Sequence, residues 1–302
     1  MRYIRTKSRE LQNAMRMISK DEIGTRLAEF QKVNDLPGFK TEESRARFIE
    51  EVWKSKKRFR ALSMLKSSNS ADLYEKEFDP VKTIVKLFNE GHLDEAVWLS
   101  FLTTHFGQDA KNTIGQFYRK FGEGLWDWDS IYENVDSIRN WMVSNEDGFK
   151  HLKFGNHRKF ETKDPDSPNG TPAVIQSFVE WVKKTGDGSP YQALRVVSQA
   201  NTPEERFDTL YQGISLIRFG RTAKFDFLCL LGNLGILEIS PPHCYLGKST
   251  GPKGGALLMV EGKIKGRVTA NIEEIIGHLC LTLGISVEVM EDALCNWQKA
   301  RN

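Results

Sequence analysis

One carboxylate, Asp226, stands inside an otherwise apolar stretch, FDFLCLL, at residues 225–231. At helical spacing this stretch is apolar nearly all round, as in a helix buried in a protein core. A charge there is costly unless it is paired, protonated or used in a reaction. Its candidate partners are the nearby basic residues Arg218, Arg221 and Lys224. The pattern indicates either a structural ion pair or an acid–base site.

A second set of acid and amide groups lies near the C-terminus, where Glu288, Asp292 and Asn296 are spaced four residues apart. On a helix these three side chains form one polar ridge. Because the ridge is bordered by apolar residues, it resembles an acid–base site more than a solvated surface. No set of His, Asp and Glu has the paired spacing of a di-metal helix bundle, so no metal site is predicted.

His105 ends an apolar stripe that includes Trp98, Phe101 and Leu102. These residues share one face of a predicted helix, and His105 stands at its C-terminal end. A histidine there gains from the helix dipole. It can face a pocket or simply cap the helix, and the sequence leaves both interpretations open.

A basic segment carries His157, Arg158 and Lys159 in succession, between Phe154 and Phe160. Cations interleaved with aromatic rings suit phosphate contact combined with base stacking. The guanidinium can grip a phosphate with two hydrogen bonds, whereas the lysine offers a point charge. The alternative is an ordinary solvated run of charges.

Glycines surround a lysine in residues 249–256, STGPKGGA. Thr250, Gly251 and Lys253 are candidate phosphate contacts, since glycines allow close approach and backbone amides can face an anion ahead of a following helix. The spacing matches neither a Walker A loop nor a dinucleotide-binding fingerprint. It is distantly similar to the hairpin of helix-hairpin-helix DNA-binding proteins. An ordinary turn explains the same residues.

Helical periodicity dominates the elements that must position these groups, and the sequence predicts a mainly α protein with at most a minor β element. Residues 257–265 are predicted to form a short strand pair or a helical turn. No internal repeat of fixed period is found. The 302 residues are divided into an N-terminal helical cap, 1–65, and a helical region, 66–302, with one continuous domain as the alternative.

Apolar residues make up 39% and charged residues 27% of the chain, as in ordinary globular proteins. No run of about 18 apolar residues could span a bilayer. The N-terminus is basic without the apolar segment of a signal peptide. The four cysteines are far apart, which favours reduced side chains in a cytoplasmic protein. A net charge of +3 does not by itself indicate nucleic acid.

Taken together, the motifs resemble those of a known family, the clade 3 domain of the α-glutamyl/putrescinyl thymine pyrophosphorylases. The stretches occur in the family's order from residue 36 onward. They are Phe78-Asp79-Pro80, Gly91 with Asp94-Glu95 and Trp98, His105-Phe106-Gly107, Phe154-Gly155-Asn156-His157-Arg158-Lys159, Phe219-Gly220-Arg221 with Phe225-Asp226, Tyr245-Leu246, Thr250-Gly251-Pro252, and Glu291-Asp292-Ala293-Leu294-Cys295-Asn296-Trp297-Gln298. The chain departs from the pattern at Phe160, Thr162 and Val289, where Tyr, Ser and Gln are expected.

The resemblance implies action on hypermodified bases in phage DNA, by an all-α fold related to helix-hairpin-helix DNA glycosylases. Some similar bacterial proteins look like anti-phage glycosylases that excise glucosylated cytosines. Others are proposed to displace pyrophosphate from a pyrophosphomethyl-uracil with an amine. In helix-hairpin-helix glycosylases the catalytic Asp follows the hairpin by about one helix. Here that position falls at residues 271–274, which contain no Asp, so Asp226 and Asp292 are the candidates.

We therefore expect a DNA glycosylase that binds DNA containing modified bases and uses no cofactor. Asp226 or Asp292 would stabilise positive charge at C1′ and direct water. His105 and Asn296 would read or protonate the departing base. The remaining candidates would bind DNA: Arg158, Lys159 and Lys253 hold phosphates, and Phe160 or Trp297 stacks on the base.

Two alternatives remain. In a pyrophosphate-displacing transferase, the four cations Arg158, Lys159, Arg221 and Lys224 would clamp a diphosphate. A non-catalytic DNA-binding module would explain the basic segment but not Asp226. No lysine stands out in the sequence as a Schiff-base nucleophile, so we expect an abasic product without strand cleavage. The sequence leaves the oligomeric state open.

Overall fold

Helices account for nearly all the regular structure of the protein. The computed structural model describes residues 17–67 and 78–299. Within those residues the only β interaction is an isolated bridge between Thr162 and Gly170, so the prediction of a mainly α fold is confirmed. The α-helices are α1 Lys20–Gln31, α2 Glu42–Met64, α3 Pro80–Asn89, α4 Leu93–Phe106, α5 Lys111–Tyr118, α6 Trp128–Asn134, α7 Ser137–Ser144, α8 Glu146–Lys150, α9 Thr171–Gly186, α10 Pro190–Val197, α11 Pro203–Gly213, α12 Arg221–Leu234, α13 Gly251–Glu261, α14 Ala270–Leu283 and α15 Val287–Lys299.

Local sequence signals set several helix starts. Asp79 accepts hydrogen bonds from two backbone amides at the start of α3, where Pro80 is the first residue. Thr202 and Glu205 form a reciprocal capping box at the start of α11. For residues 257–265 the sequence predicts a short strand pair or a helical turn. Residues 257–261 form the second half of α13, where Leu257, Leu258 and Met259 are buried, so the helical alternative holds for them. Among the described residues, no helix is both long and apolar enough to cross a membrane.

The chain divides into two compact units. The central unit comprises residues 64–240, and the terminal unit comprises residues 1–63 and 241–302, described over 17–63 and 241–299. This division differs from the sequence-based one, which placed residues 66–302 together. Apolar side chains of α1 and α2, such as Leu27 and Val52, share one hydrophobic cluster with side chains of α13 to α15. The N-terminal helices therefore belong to the core built by the C-terminal helices.

Two glycines allow α13 and α15 to approach closely in the terminal unit. A Cβ atom at Gly255 would lie 2.3 Å from the backbone oxygen of Leu294. One at Gly251, a helical turn earlier, would lie 2.5 Å from Sγ of Cys295. A side chain at Gly255 would require the helices to separate, because it meets backbone, whereas one at Gly251 would require the Cys295 side chain to shift. The glycines of the STGPKGGA segment therefore serve helix packing.

In the central unit, helix α4 is buried along its length, and every residue from 96 to 106 is shielded from solvent. Its aromatic side chains stack with those of other elements. Phe101 lies 4.1 Å from Phe178 and 5.4 Å from Phe219, between ring centroids. This packing fixes α4 and, with it, the position of His105 at its C-terminal end.

The first turn of α4 carries a half-buried acid that joins three helices. The Glu95 carboxylate accepts hydrogen bonds from the Tyr118 hydroxyl at 2.5 Å and from the Trp128 backbone amide at 2.6 Å. Burial is the main cause that raises the pKa of Glu95 to about 7, against the lowering effect of these two hydrogen bonds. Glu95, one of the residues that match the family, thus ties α4 to α5 and α6.

A raised carboxyl pKa in the folded state makes stability fall as the pH rises. We expect the free energy of unfolding to fall between about pH 4.5 and pH 7 as Glu95 ionises, by up to about 3 kcal/mol from this group. Glu95→Gln should remove that slope. Urea unfolding of both proteins at about pH 5 and about pH 8 checks this prediction. An equal difference in stability between them at both pH values would contradict it.

Candidate active site

The basic segment is held on the last turn of α4. The Gly155 amide donates a hydrogen bond to the Phe106 carbonyl at 2.7 Å, and the Asn156 amide donates one to Oδ2 of Asp109 at 3.2 Å. A Cβ atom at Gly155 would lie 1.8 Å from the Asp109 carboxylate, so this close approach requires glycine. The segment is therefore anchored to the core helix at its N-terminal end.

Arg158 points into the protein from this segment. It is 7% exposed, and its Nε donates a hydrogen bond to the Thr104 carbonyl at 3.1 Å, where the helix dipole favours a cation. Its buried Nη2 has no hydrogen-bond partner within the described residues. Burial lowers the pKa of Arg158, and the carboxylates of Asp226 and Glu161 oppose this effect. A surface grip on phosphate, as expected from sequence, is therefore not what this conformation offers.

The neighbours of Arg158 face outward instead. His157, Lys159 and Phe160 are all exposed. Lys159 Nζ lies 5.0 Å from the centre of the Phe160 ring. The predicted combination of basic side chains and an aromatic ring on one exposed segment is thus present in these three residues, without Arg158.

His105 is buried beside Arg158. Its Nε2 lies 3.1 Å from the Thr171 hydroxyl oxygen, and its ring packs edge-on against Phe154. Burial, and then the positive charge of Arg158, lower the pKa of His105 to about 3. The imidazole is therefore neutral at pH 7. It can donate or accept a hydrogen bond, but it holds no imidazolium proton for a leaving base.

Asp226 is half-buried on α12, between the buried rings of Phe225 and Phe227, and it acts electrostatically on Arg158. Three predicted site residues from separate parts of the chain are thus linked electrostatically through Arg158, whose charge acts on His105 and is itself acted on by Asp226. His105, Arg158 and Asp226 are called here the buried cluster. An acid beside a desolvated cation is an arrangement typical of functional sites.

An ion pair that also acts electrostatically on Arg158 borders the buried cluster. Arg218 donates two hydrogen bonds to the carboxylate of Glu161, at 3.0 and 3.3 Å. Glu161 is 11% exposed at its side chain, and Arg218 has a positive φ of 55°. Sequence reasoning assigned Glu161 no role. A basic run followed directly by an acid is the signal that could have drawn attention to it.

Arg221 and Lys224 contact aromatic residues near the start of α12. The guanidinium of Arg221 lies 4.6 Å from the Phe225 ring centre, and Lys224 Nζ donates a hydrogen bond to the Tyr211 carbonyl at 3.0 Å. Arg221 also acts electrostatically on Tyr211. These two cations therefore gather at the C-terminal end of α11.

The second candidate aspartate belongs to a closed network in the terminal unit. Asp292 accepts hydrogen bonds from Ser55 at 2.7 Å, from Asn296 at 2.8 Å and from Arg58, with which it also forms an ion pair. The predicted pair Asp292 and Asn296 is thus brought together, but its polar atoms are engaged by α2. This network supports a structural role.

Lys56 is buried in the same unit and interacts electrostatically with Glu288. Lys56 is 5% exposed, and burial lowers the pKa of its amine while Glu288 raises it. Burial likewise raises the pKa of Glu288. Sequence reasoning did not single out Lys56, because nothing in the run KSKKRFR of residues 54–60 distinguishes the inward-facing lysine.

Trp297 lies in the core of the terminal unit. It is 1% exposed, its indole N–H donates a hydrogen bond to the Ser44 carbonyl at 3.0 Å, and its ring packs against Phe39 and Phe48. In this conformation it presents no free face to a nucleobase. Trp297, which the sequence analysis expected to stack on a base, is therefore a core residue in this structure. Large aromatic side chains commonly contribute to a core in this way.

The candidate hairpin residues stand at the start of α13. Thr250 is exposed, while Gly251 and Lys253 are half-buried. The Lys253 amide donates a hydrogen bond to the Ser249 hydroxyl at 3.0 Å. Because that amide is engaged, and the glycines contact α15, this segment offers less to a phosphate than the sequence suggested. Among the described residues, no group of three His, Cys, Asp or Glu could hold a metal ion.

The fold and the buried cluster define an α-helical protein in which a half-buried aspartate interacts electrostatically with a buried arginine. The chain matches the family model described as alpha-glutamyl/putrescinyl thymine pyrophosphorylase clade 3 over residues 43–302, and it belongs to that family. Membership implies an enzyme that acts on a modified base of DNA. No curated protein and no solved structure matches the chain.

Proposed function

We propose that the protein is a DNA N-glycosylase that excises a hypermodified base, glucosylated hydroxymethyl-cytosine, from phage DNA as a cytoplasmic anti-phage defence. The target nucleotide swings out of the duplex, at a cost of a few kcal/mol for unstacking, and enters the central unit. The observation that carries the proposal is the half-buried Asp226 beside the buried Arg158. Family membership supports a modified base as the substrate.

Asp226 is the proposed catalytic carboxylate. As the bond between C1′ and the base nitrogen breaks, positive charge develops on the sugar, and a nearby carboxylate stabilises it. The same carboxylate directs water, whose oxygen bonds to C1′, and the base leaves with a proton. The positive charge of Arg158 favours an ionised carboxylate nearby. The products are an abasic site and the free modified base.

His105 has a positioning role in this proposal. Since its imidazole is neutral at pH 7, the proton for the leaving base comes from water. His105 instead holds Thr171 through a hydrogen bond at the end of α4, next to the Thr104 carbonyl that binds Arg158. His157 and Lys159, exposed on the same segment, contact phosphates.

The deciding experiment uses DNA that contains glucosylated hydroxymethyl-cytosine, without any added amine. Aldehyde-reactive abasic sites should appear in this DNA and not in unmodified DNA. Absence of abasic sites, together with release of pyrophosphate from a pyrophosphomethyl-uracil substrate, would replace the glycosylase by the transferase.

The transferase is the second candidate, favoured by the family's description and by the unsatisfied Nη2 of Arg158. In that reaction the nitrogen of an amine bonds to the methylene carbon of the base, the carbon–oxygen bond breaks, and pyrophosphate leaves. Asp226 accepts the amine proton. Arg158 supplies hydrogen bonds to the departing diphosphate, in the manner of arginine clamps on phosphoryl groups.

We expect no covalent enzyme–DNA adduct. A monofunctional glycosylase uses water, so borohydride should trap no imine between a lysine and the abasic aldehyde. The measurement is denaturing electrophoresis of protein and labelled substrate DNA after borohydride treatment. A trapped adduct would contradict the prediction, and its loss in Lys56→Met would identify the buried amine with the lowered pKa as the nucleophile.

A further inference from the structure

Phe160 is unusual among the aromatic residues of this chain. Its side chain is 82% exposed, and it is the one aromatic among the exposed large apolar side chains of the described residues. Burying a phenylalanine normally stabilises a fold, so this ring contributes little of its apolar area to the folded monomer. The exposed ring is therefore available to a partner.

The backbone on both sides of Phe160 is fixed. Arg158, two residues earlier, is anchored inward on the Thr104 carbonyl. Glu161, the next residue, donates its amide to the Arg158 carbonyl at 2.8 Å and pairs through its carboxylate with Arg218. Because its neighbours are held, the ring is presented outward by a constrained turn and does not sit on a free loop tip.

The surroundings of the ring fit a nucleobase. Lys159 Nζ lies 5.0 Å from the ring centre, and His157 is exposed on the same segment. A flat apolar surface bordered by a lysine cation and an imidazole, both able to bind phosphate, matches a base that is bordered by phosphates.

We propose that Phe160 inserts into the base stack of the duplex and fills the gap that a flipped nucleotide leaves. This inference rests on the proposed function only in taking DNA as the partner. Apolar side chains that insert between base steps unstack them and kink the duplex. Phe160 is then a residue that opens the DNA, distinct from the groups of the buried cluster that act on the swung-out base.

The test uses unmodified duplexes, so it does not depend on catalysis. One duplex contains a stable abasic-site analogue, with 2-aminopurine as the neighbouring base, and the other is intact. We expect the full-length protein to bind the duplex with the abasic-site analogue more tightly than the intact duplex, and to change its 2-aminopurine fluorescence. Phe160→Ala should abolish the fluorescence change and weaken binding of the duplex with the abasic-site analogue about tenfold.

Two further variants serve as controls. Val196→Ala shortens another exposed apolar side chain of the central unit, 50% exposed, and should change neither readout. Lys159→Gln should weaken binding of both duplexes and reduce the salt dependence, whereas Phe160→Ala should leave the salt dependence unchanged.

An unaltered fluorescence change in Phe160→Ala, with unaltered binding, would overturn the inference. Failure of the glycosylase proposal gives a different result, in which modified DNA yields no abasic sites while the Phe160-dependent fluorescence change persists. Circular dichroism of each variant shows whether the fold is retained.

Discussion

Replacing Asp226 with asparagine is expected to lower the rate of abasic-site formation by about a thousandfold, in line with the loss of a charge-stabilising group from an active site. Asparagine has nearly the same volume but no negative charge, so it cannot stabilise the cationic sugar or accept a proton from water. Single-turnover measurements with excess protein on glucosylated DNA isolate this step from product release.

Asp292→Asn is the matched control. The terminal-unit network gives Asp292 hydrogen bonds to Ser55, Arg58 and Asn296, so this substitution should lower the melting temperature and leave abasic-site formation largely unchanged. The reverse outcome, in which Asp292→Asn is inactive and Asp226→Asn is active, would move the reaction to the terminal unit and refute the proposed site.

Gly255→Ala should destabilise the protein by about 3 kcal/mol, an effect at the upper end for overpacked interiors. The added methyl group would lie 2.3 Å from the Leu294 carbonyl oxygen, and backbone cannot move aside as a side-chain end does. The helices α13 and α15 must then separate and lose contact within the terminal core. Urea unfolding monitored by circular dichroism measures the change.

Gly277→Ala provides the comparison within a helix of the same unit. A Cβ atom at Gly277 meets nothing within 4 Å, so alanine should stabilise α14 by up to about 1 kcal/mol. If Gly255→Ala were neutral or stabilising like Gly277→Ala, the close approach of α13 to α15 would be incorrect. The glycine-rich segment would then be free to serve a ligand.

The sequence by itself determined the helical class, because amphipathic periodicity and helix capping depend only on residues a few positions apart in the chain. Family membership was also carried by short ordered motifs, and the family match over residues 43–302 confirms that resemblance. The sequence also indicated Asp226 as a candidate site residue, since a carboxylate within an apolar helix can be recognised without any knowledge of tertiary contacts. The roles assigned to individual site residues stay predictions.

Tertiary structure alone decided which way those side chains face. Arg158 and Lys159 are adjacent in the chain, yet the first is buried on the Thr104 carbonyl and the second is exposed. Trp297 belongs to the core, and the helices before residue 63 belong with those after residue 241. Such outcomes depend on contacts between residues far apart in sequence, which local periodicity does not specify. The burial that brings His105, Arg158 and Asp226 together is therefore a property of the packed helices, although each residue could be named beforehand.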